Sequence, residues 1–124
     1  PRLRLVVDAA NVVGSTPNGW WRDRAGAADR LRRDLEAIAG SVVVHDGHDH
    51  LVSHVEMVVE GRARGVPEPE LDSLVRVIRA EGHGDDTVVE RARTVDGVVI
   101  TSDRGLRARV AASLPVSALQ EMLS

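Results

Sequence analysis

Apolar residues along this chain fall in short, nearly unbroken blocks separated by Gly, Pro, Asp and Asn. The first block, Leu3 to Val7, ends at Asp8 and is continuous rather than alternating, the pattern of a strand covered by helices on both faces. Gly14 to Gly19 has loop chemistry. Over Ala25 to Ala39 the period changes: Leu31, Leu35 and Ile38 share one helical face, Asp29 and Arg33 pair at i,i+4, and Gly40 is a stop. Ser41 to His45 and Val52 to Val59, parted by Asp46-Gly47, predict an antiparallel ribbon whose second arm enters the sheet and ends at Glu60-Gly61.

Arg62 to Leu74 carries Pro67 and Pro69 and reads as loop with one helical turn at Glu70 to Leu74. Val75 to Ala80 is a third strand. A helix starting at Asp85 or Asp86 turns Val88, Val89, Ala92 and Val95 inward and stops at Asp96-Gly97. Strand Val98 to Ser102 follows, then a helix over Arg104 to Ala112, an edge strand at Pro115-Val116, and a last helix opened by a Ser117/Gln120 capping box. Strands alternating with helices predict an α/β fold, a single domain over residues 1–124.

Composition narrows the chemistry. Without Phe or Tyr, and with Trp20 and Trp21 as the only tryptophans, the core is aliphatic. The absence of cysteine excludes disulfides, thiolate metal sites and cysteine catalysis. All 16 basic residues are arginine, which excludes a P-loop lysine, a Schiff base and the lysine of a receiver domain, and suits phosphate contact through the bidentate fork. A net charge of −3 argues mildly against indiscriminate nucleic-acid binding. No segment is apolar enough to span a bilayer and none resembles a signal peptide, so a soluble cytoplasmic protein without a membrane partner is the expectation.

The candidate chemistry lies where the strands end. Asp8, Asp85-Asp86 and Asp103 each follow a valine-rich segment, and parallel strands deliver such residues to one crevice. Carboxylates crowded there repel unless a hard divalent cation sits among them. The plain alternative is that Asp at a helix start is a cap, which for Asp85-Asp86 alone would suffice. Gly82, His83 and Gly84 before that pair, and the matching positions of Asp8 and Asp103, favour the metal reading. Asn11 could orient Asp8 or be an ordinary turn residue, and Thr101 and Ser102 could donate to the cluster or simply end a strand. Glu60 and Asp46 compete as a further acidic position, Asp46 lying beside a tight-turn glycine.

Trp20, Trp21, Arg22 and Arg24 fall in the loop after the first strand, suited to stacking on unpaired bases and holding phosphates, with one tryptophan expected buried and the other near the site. Arg62, Arg64, Arg104 and Arg107 would ring the same mouth. His45, His48, His50 and His54 flank a turn with irregular spacing, closer to an exposed polar turn than to a transition-metal site.

Val6-Val7-Asp8-Ala9-Ala10-Asn11-Val12-Val13, Gly84-Asp85-Asp86-Thr87-Val88-Val89 and Val99-Ile100-Thr101-Ser102-Asp103-Arg104-Gly105-Leu106 together resemble the NYN branch of the PIN-like nucleases across nearly the whole chain. The resemblance implies a three-layer α/β/α PIN-like fold with a mainly parallel central sheet of four to five strands, and cleavage of RNA, most often single-stranded, dependent on Mg²⁺ or Mn²⁺. It implies Asp8, Asp86 and Asp103 as metal ligands, Asp85 as a ligand or supporting carboxylate, Glu60 as the acidic residue after the second core strand, and Asn11 as a positioning residue. Arg104, Arg22, Trp21, Ser102 and Thr101 are the substrate-contact candidates. A silent RNA- or protein-binding module and a small-molecule metal phosphohydrolase are the rival classes. A homodimer, a ribosome or another protein as partner is left open.

Overall fold

Five strands run parallel and one against them. The computed structural model describes residues 1–124. β1 (Arg2–Asp8) is central, pairing in parallel with β3 (His48–Val59) on one side and β5 (Val98–Ile100) on the other. β6 (Ser113–Leu114) extends the sheet beyond β5. On the far side of β3 two strands share its length. β2 (Val42–His45) pairs antiparallel with its first residues, and β4 (Val75–Arg79) pairs parallel with its last. The sheet thus has six strands rather than four to five, because β3 is long enough to take two neighbours end to end.

Helices cover both faces, as the unbroken apolar strands demand. One face carries α1 (Ala9–Gly14), α2 (Arg24–Ile38) and α5 (Val116–Leu123), packed on Leu5, Val7, Val55, Met57 and Ile100. The other carries α3 (Gly84–Val95) and α4 (Arg104–Arg107), packed on Val6, Val58 and Val99. The result is a three-layer α/β/α fold with an aliphatic core. A register shift opposite Leu3 and Arg4 leaves Ser53 unpaired with β1, so Val52 and Val55 reach the same core although they are three apart.

Glu56 is the exception in this apolar interior. It is fully buried on β3, and Arg91 of α3 holds both its oxygens, at 2.6 and 2.8 Å, while His54 Nε2 lies 2.8 Å from Oε2. Burial opposes its ionisation, but Arg91 and His54 outweigh that and hold the carboxyl below its usual range.

Several local expectations shift. α1 begins directly after Asp8, where the sequence suggested only a turn. The predicted turn of helix at Glu70 to Leu74 does not form; a 3₁₀ turn stands instead at Gly61–Gly65. α4 stops at Arg107 rather than Ala112, because the chain must turn back to place Ser113 beside Val99 and Leu114 beside Ile100. The edge strand is Ser113–Leu114 and not Pro115-Val116, since Pro115 has no N–H and instead precedes α5. The capping box at Ser117 and Gln120 is absent; the first amide of α5, on Val116, donates to Ser102 Oγ at 3.0 Å.

Candidate active site at the strand ends

The chain leaves β1 towards β3 and β4 and later crosses back, through α3, to β5 on the opposite side of β1. The crevice between the ends of β1 and β5 is therefore the topological switch point, where open α/β sheets bind ligands. Asp8 stands at one lip and Thr101, Ser102 and Asp103 at the other.

Thr101 ties the two together. Its side chain is fully buried, its hydroxyl donates to Asp8 Oδ2 at 2.9 Å, and the same oxygen accepts from the Asp103 amide at 3.2 Å. One side-chain oxygen thereby orients the Asp8 carboxylate and shapes the loop leading to Asp103. Asn11 Oδ1 accepts from the Ser102 amide at 2.8 Å, so its role is to join α1 to the β5 loop. Ser102, with its amide on Asn11 and its hydroxyl on the start of α5, positions the loop from both sides.

Glu60 follows β3 directly. Its carboxylate accepts from the Gly84 amide at the start of α3, satisfying one of the helix's free N–H groups across 24 residues of sequence. A Cβ on Gly84 would lie 3.0 Å from that carboxylate oxygen, so a side chain there would press on Glu60. Asp46, the competing acidic candidate, sits at the β2–β3 turn with φ 52°, at the opposite end of the strands.

Burial pushes the Asp8 carboxyl above its usual range. The charges of Asp85 and Glu60 add to the rise, while the Thr101 hydroxyl and the Asn11 backbone oppose it. Asp85 and Glu60 therefore lie close enough to Asp8 for their charges to act on it. Asp86 does not join them. It turns outward to Arg109, 2.7 Å away, and that guanidinium holds its carboxyl below the usual range. Asp103 directs Oδ1 to the Leu106 amide at 3.1 Å, capping α4. No three acidic or histidine side chains are gathered closely enough to form a ready-made metal cage. The donors nonetheless have the hard oxygen chemistry that Mg²⁺ or Mn²⁺ takes, and their mutual repulsion is what such an ion would relieve.

Arginine pairs with only a minority of the 19 acidic side chains. Asp29, Glu36, Glu56, Glu68 and Asp86 all hold an arginine. Asp8, Glu60 and Asp103 form no ion pair, and Asp85 has only His83, at 3.9 Å. In a chain with 16 arginines, four acidic side chains near the strand ends are left without one.

Beyond Glu60 lies the tryptophan loop. Trp20 and Trp21 form a 3₁₀ turn with Arg22, their rings edge to face at 6.2 Å. Arg24 lies over Trp20 at 5.5 Å and Arg22 over Trp21 at 5.8 Å. Trp20 is half-buried and Trp21 is 54% exposed, so neither ring is buried as one of them was expected to be. Arg104 is exposed at the start of α4, whereas Arg107 donates to Ser113 Oγ at 3.1 Å. The histidines lie along the β2–β3 ribbon, away from this site; only His45 and His50 approach each other, ring to ring at 6.0 Å.

The fold defines a three-layer α/β class of PIN-like type. Two crystal structures of Rae1 (YacP) from Bacillus subtilis share it: the W164L mutant superposes with a TM-score of 0.66 at 18% identity, covering 98% of this chain and 74% of that one. Rae1 without that substitution gives 0.65 at 18%, covering 97% and 72%. No family model matches the sequence, and no curated protein does either. No helix is long and apolar enough to cross a membrane.

Proposed function

We propose that this protein is a metal-dependent ribonuclease that hydrolyses phosphodiester bonds in single-stranded RNA. The observation that carries this reading is the set of unpaired carboxylates at the switch point, with Asp8 raised by burial and by two like charges. The fully buried carboxylate outside the site, Glu56, is matched by Arg91, whereas Asp8 has no cation beside it and only like charges acting on it. The likeness of fold to Rae1 and the NYN-like blocks around Asp8, Gly84 and Asp103 support the same reading.

Asp8, Glu60 and Asp85 would hold Mg²⁺ or Mn²⁺, with Asp103 at the mouth. When bound, such an ion supplies an activated water and neutralises charge on the phosphate. Thr101 fixes the rotamer of Asp8, and Asn11 and Ser102 fix the loop facing it. Exposed Arg22 and Arg104 offer forks for flanking phosphates, and Trp21 offers a face for a base.

Incubating the purified protein with labelled single-stranded RNA, in Mn²⁺, in Mg²⁺ and in chelator, tests this directly. Metal-dependent cleavage, abolished in Asp8→Asn with the fold intact, is the expected result. Binding without cleavage in every metal would reduce the protein to an RNA-binding module, and release of phosphate from free nucleotides alone would make it a small-molecule phosphohydrolase.

A further inference from the structure

A cavity of about 150 Å³ opens beside Glu60, walled by Ala9, Ala10, Trp20, Arg24 and Ala63. Ala9 and Ala10 directly follow Asp8, so the cavity shares a wall with the acidic crevice. We infer that it seats one unpaired base of the RNA strand whose phosphate lies at Asp8, an assignment that rests on the nuclease reading and names how that site takes its substrate.

Size, shape and charge each point to a base. The volume falls well below the roughly 300 Å³ of a pocket that holds a whole small ligand, so it suits one flat ring system of a larger molecule. Alanines form much of the wall and leave the depth to the ligand. The plane of Trp20 is set by Trp21 against it at 88° and by Arg24 over it, so an aromatic surface stands ready without reordering. The cavity's two charged groups, the Arg24 guanidinium and the Glu60 carboxylate, offer a donor and an acceptor for the edge of a base. The two opposite charges cancel, so the cavity favours a neutral ring over a phosphate. The sequence-derived candidates, Trp21 and Arg22, lie outside this lining.

Trp20 can report on the cavity itself. The chain has two tryptophans and no tyrosine, so Trp21→Phe keeps an aromatic ring against Trp20 and leaves Trp20 as its only strong fluorophore. In a Trp21→Phe/Asp8→Asn protein, expected to bind the strand without cutting it, an oligoadenylate hexamer is expected to quench Trp20 emission. A hexamer of abasic ribose phosphate is expected to leave it unchanged, and Arg24→Ala, with its circular dichroism intact, to weaken oligoadenylate binding roughly ten-fold. Equal quenching by the abasic strand would overturn the assignment, as would no quenching while the unmodified protein cleaves RNA. Quenching by oligoadenylate in a protein that cleaves no RNA would keep the base seat and remove the nuclease reading instead.

Discussion

At the residue scale, two adjacent aspartates have opposite fates. Both lie in the first turn of α3, and the family resemblance put Asp86 ahead of Asp85 as a metal ligand. The helix turns Asp85 towards Asp8 and Asp86 towards Arg109. If the site works as proposed, Asp85→Asn lowers RNA cleavage by roughly 100-fold, while Asp86→Asn, which loses an exposed ion pair, lowers it by no more than about threefold. Initial rates of the two variants under saturating Mn²⁺ decide this, and the reverse order would return Asp86 to the metal set. The Thr101 link was equally hidden. A threonine at a strand end looks ordinary until β1 and β5 are known to be neighbours.

At the element scale, α3 is fastened at both faces of its role. Its amino terminus is held by Glu60, which also faces Asp8, and its body is held to the sheet by Arg91 on buried Glu56. The body of the helix that presents Asp85 is thus anchored independently of the site. Arg91→Ala strands a buried carboxylate and is expected to cost about 3 kcal/mol in a denaturant titration, at the lower end for a buried pair because Arg91 is itself partly exposed. Because the Glu56 carboxyl is depressed in the fold, its contribution is present above the unfolded carboxylate range and fades as pH falls through the folded value. The difference between Arg91→Ala and the unmodified protein should therefore narrow in acid; a gap independent of pH would mean that packing of the Arg91 stem, and not charge, holds α3.

At the scale of the whole molecule, the site is a destabilising feature that the rest of the fold carries. The Asp8 carboxyl is raised, so its ionised form costs stability at neutral pH, and that cost disappears as pH falls below the ordinary carboxylate range. Asp8→Asn keeps an oxygen for the Thr101 hydroxyl and removes the repulsion. In chelator at pH 7 it should raise Tm by about 2–4 °C, with the gain vanishing in acid. Adding Mn²⁺ at ten times its Kd should stabilise the unmodified protein by about 1.4 kcal/mol and leave Asp8→Asn unchanged. Thermal melts of the two proteins in chelator and in Mn²⁺ read both effects, and an Asp8→Asn protein that melts lower in chelator would show Asp8 to be structural.

What the sequence determined by itself is what depends on local pattern. Unbroken valine blocks demanded covered strands, the 3.6-residue period over Leu31, Leu35 and Ile38 demanded α2, and strand-end carboxylates pointed to the crevice. Tertiary structure decided everything that depends on which distant residues meet. The length of β3 gave the sheet its sixth strand, and pairing of β6 with β5 cut α4 short against its helical pattern. Topology set Glu60, and not Asp46, beside Asp8, and the rotation of α3 separated Asp85 from Asp86. Glu56, buried in the middle of an apolar strand, is intelligible only through Arg91, 35 residues away. Periodicity reports how one segment meets an interface; hydrogen bonds, ion pairs and the repulsion of like charges are set by distances between segments, which only the folded chain possesses.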